Sequence, residues 1–496
     1  MDEEQKNTVC IIGAGLSGIV TAKVFQHDGF KVTIFDKEPT IGGVWAPSRA
    51  YSGLCTNNPK KAYAFSDFPY PENCDEFPTA GQVFDYLESY VRKFGLKSHL
   101  RLSTEILSVE RRKTKEEGSH SGFFVSVCPL GGSAGVERLA FDFVVICNGV
   151  FSKPYVPQIE GKEHFGGSLL HSSRIRDRAV LSGQRVVVVG AGKSALDCAS
   201  VASQEAASST LVFRRPHWML PRYFPGGQRV DKVFFTRFSE MILPTYYRAS
   251  HWESVIRAMA APFLWLWRKI ISRYVSRIVG MPSEMVPEEP VTSGAENIGI
   301  GSRFYDLLQE GLARTKRAEI KSFCGRNTLK LDNGEVIEAD VVIFATGWQQ
   351  DLSILDEELR GEIQRKGKFH LYRHILPPRE QRLGFIGYAS AGNNALTSEV
   401  GAHWLSQCFR GDLKLPARDI MEQEIARLHE WAAETFPKRK EGYFLGGYVA
   451  AYLDELLNDM GLPTKRTESF FSEYFKPLYG ERYSGLTNER SRAREA

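Results

Sequence analysis

Two short runs with no polar interruption, Val9-Cys10-Ile11-Ile12 and Val186-Val187-Val188-Val189, each lead directly into a glycine cluster and then an Ala-rich stretch. Continuous apolarity over so few residues suits a strand buried on both faces, as in a parallel sheet. The pattern therefore predicts strand, tight turn and helix, twice in one chain. Elsewhere the periodicity predicts an amphipathic helix over Thr79 to Phe94. It also predicts a strand pair around Leu102 to Arg111 and Phe123 to Cys128, separated by the polar turn Lys113 to Gly122. A further strand, Phe141 to Cys147, stops at Asn148-Gly149, and this pattern of acidic residue, apolar strand, small polar residue and glycine returns at Ala339 to Gly347.

Alternation of strands with helices predicts an α/β chain of two dinucleotide-binding Rossmann-like domains, the second inserted into the first. The expected divisions are 1–164 for the first part of the outer domain, 165–323 for the inserted domain and 324–496 for the resumed outer domain and a helical end. Pro154 and Pro157 mark the outgoing crossover. Within the insertion, about 226–301 is rich in aromatics and arginines and is read as a helical excursion.

The glycine clusters carry the first chemistry. Gly13-Ala14-Gly15-Leu16-Ser17-Gly18 and Gly190-Ala191-Gly192-Lys193-Ser194-Ala195 both follow the dinucleotide fingerprint. Its first Gly permits the tight turn, its second admits the pyrophosphate to backbone N–H groups, and its third small residue lets helix pack on strand. About twenty positions past the first cluster, at the end of the second strand, stands Asp36, whose carboxylate suits ribose hydroxyls and hence FAD or NAD. The equivalent strand end after the second cluster carries Arg214-Arg215, suited to a 2′-phosphate, so this site is expected to take NADPH in preference to NADH.

Composition narrows the alternatives. The 496 residues are 43% hydrophobic with a net charge of only +4, which gives no reason to expect a nucleic-acid partner. The eight cysteines form no CxxC pair, which argues against a disulfide framework, a metal site and a dithiol reductase. No HExxH or GxSxG motif is present, so neither a metal nor a nucleophilic triad is expected. The polar start leaves no room for a signal peptide and no stretch is long enough to span a bilayer, so a cytoplasmic location is expected. The stretch Ser254 to Met281 mixes Trp and Tyr with Arg and Lys. It is read as a helical cap over the site in preference to a membrane-surface helix.

Several motifs together resemble the flavin-containing monooxygenases. Gly42-Gly43-Val44-Trp45 resembles that family's GGxW segment. The run from Tyr51 through Thr56-Asn57-Asn58-Pro59-Lys60 to Ser66-Asp67-Phe68-Pro69 resembles its Tyr, Asn, Lys and SDFP series. Phe165-Gly166-Gly167-Ser168-Leu169-Leu170-His171 is similar to its FxGxxxH linker, Ala345-Thr346-Gly347-Trp348 to its ATG turn, and Ser398-Glu399 with Trp404 to its late helix. The chain departs from the pattern at Ile175, where the linker of either branch closes on an aromatic, and at Asn148 in the first ATG-like turn.

The resemblance implies FAD contacts from Lys37, Gly43, Val44, Trp45, Thr56, Asn57 and Ile106, with Asn57 catalytic beside flavin C4a. It gives Lys60 either a charge near the site or a surface position, and His171 the task of ordering the linker. The implied activity is NADPH-dependent monooxygenation of a small molecule by O2. It would proceed through a C4a-hydroperoxyflavin that donates oxygen to nucleophilic nitrogen or sulfur, or to a carbonyl by Baeyer–Villiger insertion. A flavin reductase or dehydrogenase and a redox-sensing nucleotide-binding protein are the other readings of two fingerprints.

Overall fold

The computed structural model describes residues 7–113, 120–131, 135–249, 251–292, 298–389, 392–436 and 445–495. Most of the polar turn after Lys113 lies outside them. Two five-stranded parallel sheets dominate. The first runs Leu383–Phe385, Phe143–Ile146, Thr8–Ile12, Lys31–Phe35, Leu100–Arg101 in spatial order. The second runs Arg314–Arg317, Ser208–Phe213, Arg185–Val189, Val341–Phe344, Ser168–His171. Val9 to Ile12 and Val186 to Val188 are buried, as continuous apolar strands must be between two covered faces.

The two sheets are built by the same steps. Strand, glycine turn, helix and second strand come first, with helices Leu16–His27 and Lys193–Glu205. An antiparallel three-stranded ladder follows, Thr104–Lys113, His120–Pro129 and Glu137–Phe141 in one half, Ile320–Gly325, Thr328–Leu331 and Val336–Glu338 in the other. Each ladder delivers the chain to the strand beside the starting one, Phe143–Ile146 or Val341–Phe344.

This corrects the expected division at residue 323. Val341–Phe344 pairs with Arg185–Val189 and Ser168–His171, so the chain is still in the second sheet there and regains the first only at Leu383–Phe385. The recurring motif marks one copy of the same strand in each fold, not two strands of one domain. Outgoing and returning segments meet where Lys153–Pro154 pairs antiparallel with Trp348–Gln349.

The expected helix after Thr79 spans Ala80–Lys93, opened by a capping box between Thr79 and Gln82 that satisfies two end N–H groups. Helix Asn394–Arg410 packs on Leu16–His27 and is buried without interruption from Ala395 to Gln407. A helix buried all round must meet polar partners wherever it carries polar groups. Its Glu399 does so, accepting from Ser66 N at 2.8 Å and Ser66 Oγ at 2.7 Å, and so fastens the Ser66-Asp67-Phe68-Pro69 loop to the core.

The excursion holds helices Val230–Phe234, Arg237–Glu240 and His251–Val279 and rests on the C-terminal helices. Arg237 pairs with Asp454 and Glu473, and the Glu240 carboxyl accepts from Ala450 N at 2.7 Å at the start of helix Val449–Asp459. Among the described residues no helix is long and apolar enough to cross a membrane.

Burial pushes the Glu399 carboxyl up to about 7, against the pull of its Ser66 donors. An unfolded chain releases this proton near 4.5, so the folded state holds it more tightly. The stability it contributes is complete below 4.5 and is lost as pH rises through 7. Glu399→Gln should flatten this slope, on the order of 2–3 kcal/mol, in thermal melts between about pH 5 and about pH 8. Parallel curves for the two proteins would mean that Glu399 is already ionised in the fold.

Candidate active site

Both glycine turns open on one cavity of about 2040 Å³. Each turn is possible because its first Gly lies against the backbone of the neighbouring strand end. A Cβ on Gly13 would stand 2.6 Å from Cys147 O, and one on Gly190 would stand 2.5 Å from Ala345 O. Both also have positive φ, 109° and 134°. A Cβ on Gly18 would stand 1.9 Å from Gly13 O, which explains the small third position.

Gly13, Gly15, Leu16 and Ser17 line the cavity, and so do Asp36, Lys37, Gly43, Val44, Trp45, Asn57 and Ile106. On the facing wall lie Gly190, Gly192, Lys193, Ser194, Arg214 and Arg215. The structure thus brings most of the expected residues to one space. Four stand back from it. Ala14 donates its N–H to Asp36 Oδ2 at 2.7 Å, Gly18 packs on Gly13, and Ala195 belongs to the second core. Thr56 is buried, its hydroxyl donating to Asn58 O at 2.7 Å.

Asp36 sits where the second strand ends. Its oxygens accept from Ala14 N and Glu38 N, so the carboxylate also ties down the glycine turn, while burial raises its pKa. Asn57 is exposed to the cavity, whereas its neighbour Asn58 is buried and donates to Gly392 O at 2.6 Å. Lys60 does not line the cavity. Its ammonium donates to Glu72 O and Cys74 O, at 2.8 and 2.6 Å, and so closes the loop that follows.

His171 ties the linker together. Gly347 O can only accept, so Nε2 carries the proton at 3.1 Å and Nδ1 accepts from Ser173 N. Burial lowers its pKa and keeps the ring neutral. A polar bridge joins the two nucleotide folds, since Tyr51 Oη donates to Asp197 Oδ2 at 3.0 Å and Lys193 Nζ pairs with the same carboxylate. Asn148 works within the first fold, accepting from Tyr388 Oη at 2.6 Å and donating to Asp351 O at 2.7 Å.

Arg317 escaped the sequence reading. It lines the same wall as Arg214 and Arg215 because its strand pairs with theirs, Phe213 opposite Arg317. Only strand register reveals that proximity, and no local motif signals it. Arg214 faces Glu319 at 3.6 Å and Arg317 faces Glu288 at 3.8 Å. Among the described residues no group of three or more His, Cys, Asp and Glu side chains could hold a metal ion.

The cradle fits the expected dinucleotides. Two helix N-termini, each reached through a turn with no room for a side chain, meet an acid at one strand end and arginines at the other. Such paired folds define a two-dinucleotide oxidoreductase. The model of the flavin-binding monooxygenase-like family matches residues 6–262 and 310–471, and the chain belongs to that family. It is a flavoprotein monooxygenase that uses FAD and NADPH.

A probable flavin-containing monooxygenase 1 of Arabidopsis thaliana is 28% identical over 97% of each chain. Dimethylaniline monooxygenase (N-oxide-forming) 2 of Rattus norvegicus is 28% identical over 96% of this chain and 88% of its own. Among solved structures, S-allyl-L-cysteine S-oxygenase from Allium sativum superposes with a TM-score of 0.62 at 21% identity, covering 99% of this chain and 95% of its own. Cyclohexanone monooxygenase from Rhodococcus sp. Phi1, bound to NADP+, gives 0.67 at 18% identity, covering 92% and 98%.

The close approach at the second turn can be tested by comparing two glycines of positive φ. Gly183 has nothing within 4 Å of its would-be Cβ, so Gly183→Ala should cost only the backbone penalty, about 1 kcal/mol. Gly190→Ala adds the clash with Ala345 O and should cost at least about 2 kcal/mol more in denaturant melts. Equal losses would show that the turn has room to move.

Proposed function

We propose that this chain transfers one oxygen atom from O2 to a nucleophilic nitrogen or sulfur of a small, mainly apolar molecule, at the expense of NADPH. The observation that carries the reading is the single cavity, which is lined by both glycine turns and Asn57 and has an apolar extension into the excursion. Phe234, Phe235, Ile242, Leu243 and Ile271 line that extension and favour an apolar substrate. Sequence likeness to an N-oxide-forming enzyme over nearly the whole chain supports heteroatom oxygenation. The Baeyer–Villiger alternative rests on likeness of fold alone.

FAD, once reduced by NADPH, supplies the activation of O2, and the protein supplies position and environment. The first glycine turn and the helix N-terminus beyond it hold the FAD pyrophosphate, and Asp36 accepts from the ribose. Arg214 and Arg317, which face Glu319 and Glu288 in this structure, would hold the 2′-phosphate of NADPH together with Arg215. Asn57 presents an amide N–H to the oxygen where negative charge develops. The apolar wall keeps water from the activated oxygen, and the Tyr51–Asp197 bond holds the two cofactor sites in register.

Asn57→Ala should retain FAD but release H2O2, with product formed per NADPH falling roughly tenfold or more. Unchanged coupling would reduce Asn57 to a turn residue. The double variant Arg214→Ala, Arg215→Ala should raise KM for NADPH by about one to two orders of magnitude and leave KM for NADH nearly unchanged, with Arg317→Ala smaller in the same direction. Equal effects on both nucleotides would place the 2′-phosphate elsewhere.

A further inference from the structure

The helix His251–Val279 presents two unlike rows of side chains. The inward row, Leu264, Arg268, Ile271 and Val275, recurs at intervals of four and three and faces the protein. Val275 is fully buried and Arg268 donates to Ile242 O at 2.9 Å. The opposite row, Met259, Phe263, Leu266 and Ile270, recurs at the same intervals and faces away. Met259 is 80% exposed, Phe263 68% and Ile270 52%. Trp267 and Tyr274 flank this row and are exposed as well. The side chains of Trp252, Ser254 and Arg257 lie outside the described residues.

A helix on a water-facing surface carries polar groups on the side turned from the core, and this one carries large apolar groups there. Further exposed rings stand on two short helices packed together, where Phe238 stacks on Phe475 at 4.8 Å and Phe471 stacks on Phe475 at the same distance.

Charge identifies what meets this face. From Ser254 to Ser283 the chain has no Asp or Glu, and Lys269, Arg273 and Arg277 border the outward row, all exposed. The Lys269 ammonium sits 3.9 Å above the Trp265 ring, at the edge of the apolar stripe. Aromatic and aliphatic side chains between cations match an interface with apolar tails below and anionic headgroups beside them.

We propose that the outward face of this helix docks on a lipid surface bearing anionic headgroups. The helix lies along the surface, since none of the described helices can cross a bilayer. Trp267 and Phe238 are both exposed and both line the cavity, so the docked face lies at the cavity's edge. On the function proposed above, an apolar substrate then passes from lipid into the cavity without crossing water. A cap over the site, the expectation for this stretch, accounts for Ile271, which lines the cavity from the inner row, but not for the outward row.

The test is flotation of the full-length FAD-loaded protein with phosphatidylcholine vesicles, with and without phosphatidylserine. Binding at low salt is expected with phosphatidylserine, and salt should weaken it. Phe263→Glu with Ile270→Glu should abolish binding while leaving FAD content and melting temperature unchanged, because neither side chain lines the cavity or packs inside. Lys269→Glu with Arg273→Glu and Arg277→Glu should weaken it roughly tenfold or more. The emission of Trp265 and Trp267 should shift to the blue on binding.

No flotation of the unaltered protein at low salt would overturn the proposal, as would equal flotation of the variants. A dimer that the Phe263→Glu, Ile270→Glu protein loses, with vesicles ignored throughout, would assign the face to a second copy of the chain. None of these readouts depends on turnover, so failure here leaves the oxygenation proposal standing, and failure of that proposal leaves the docking result intact.

Discussion

The structure depends on a backbone contact made twice, glycine turn against strand end. At Gly13 and again at Gly190 the turn lies so close to the carbonyl of Cys147 or Ala345 that no side chain fits between. This lets the following helix start directly above the sheet, with its free N–H groups aimed into the crevice. It also fixes which strand must stand next to the first one. That strand ends in Asn148-Gly149 in one half and Thr346-Gly347 in the other, and from these ends come polar joints within each half and to the crossover between them. Asn148 holds Tyr388 and Asp351, Thr346 donates to Tyr155 O, and Gly347 O accepts from His171.

These joints are mostly neutral hydrogen bonds in partly buried places. Neutrality matters, because an ion pair here would carry a desolvation cost and would compete for the phosphates. The exception is Lys193 with Asp197, where a cation at a phosphate-binding turn is balanced by an acid on the next helical turn and steadied by Tyr51 from the other fold. Domain register and phosphate-site charge are therefore coupled through one carboxylate. Two cofactors that must meet at their reactive ends need such coupling, since a displacement of about 1 Å is enough to impair transfer.

What could be read from sequence was local. The strands, both glycine turns, Asp36, Arg214 and the helix after Thr79 each depend on a few adjacent residues, and each stands as expected in the fold. The echo at Ala339 to Gly347 was also legible as a repeat, but its sheet was not. Membership of a parallel sheet is decided by strands distant in sequence, and Val341–Phe344 finds one neighbour 155 residues upstream, at Arg185–Val189. Arg317 was hidden for the same reason. Motif membership also overstated contact, since Ala14, Gly18, Thr56 and Ala195 shape the cradle from behind its wall.

The excursion shows the same division between what holds and what faces outward. Its attachments are polar groups largely withdrawn from water, the half-buried ion pairs of Arg237 with Asp454 and Glu473, and Glu240 at a helix N-terminus, where burial pushes its carboxyl up to about 8 and so favours the neutral acid. Such groups are costly to bury and are kept in place only by close partners. They specify one seating of the excursion on the C-terminal helices. An apolar row turned to water contributes nothing to that seating and risks aggregation. Folding stability therefore accounts for the inner side of helix His251–Val279 and not for the outer. The outer row must be explained by something beyond the folded chain, and the cations along its border restrict what that can be.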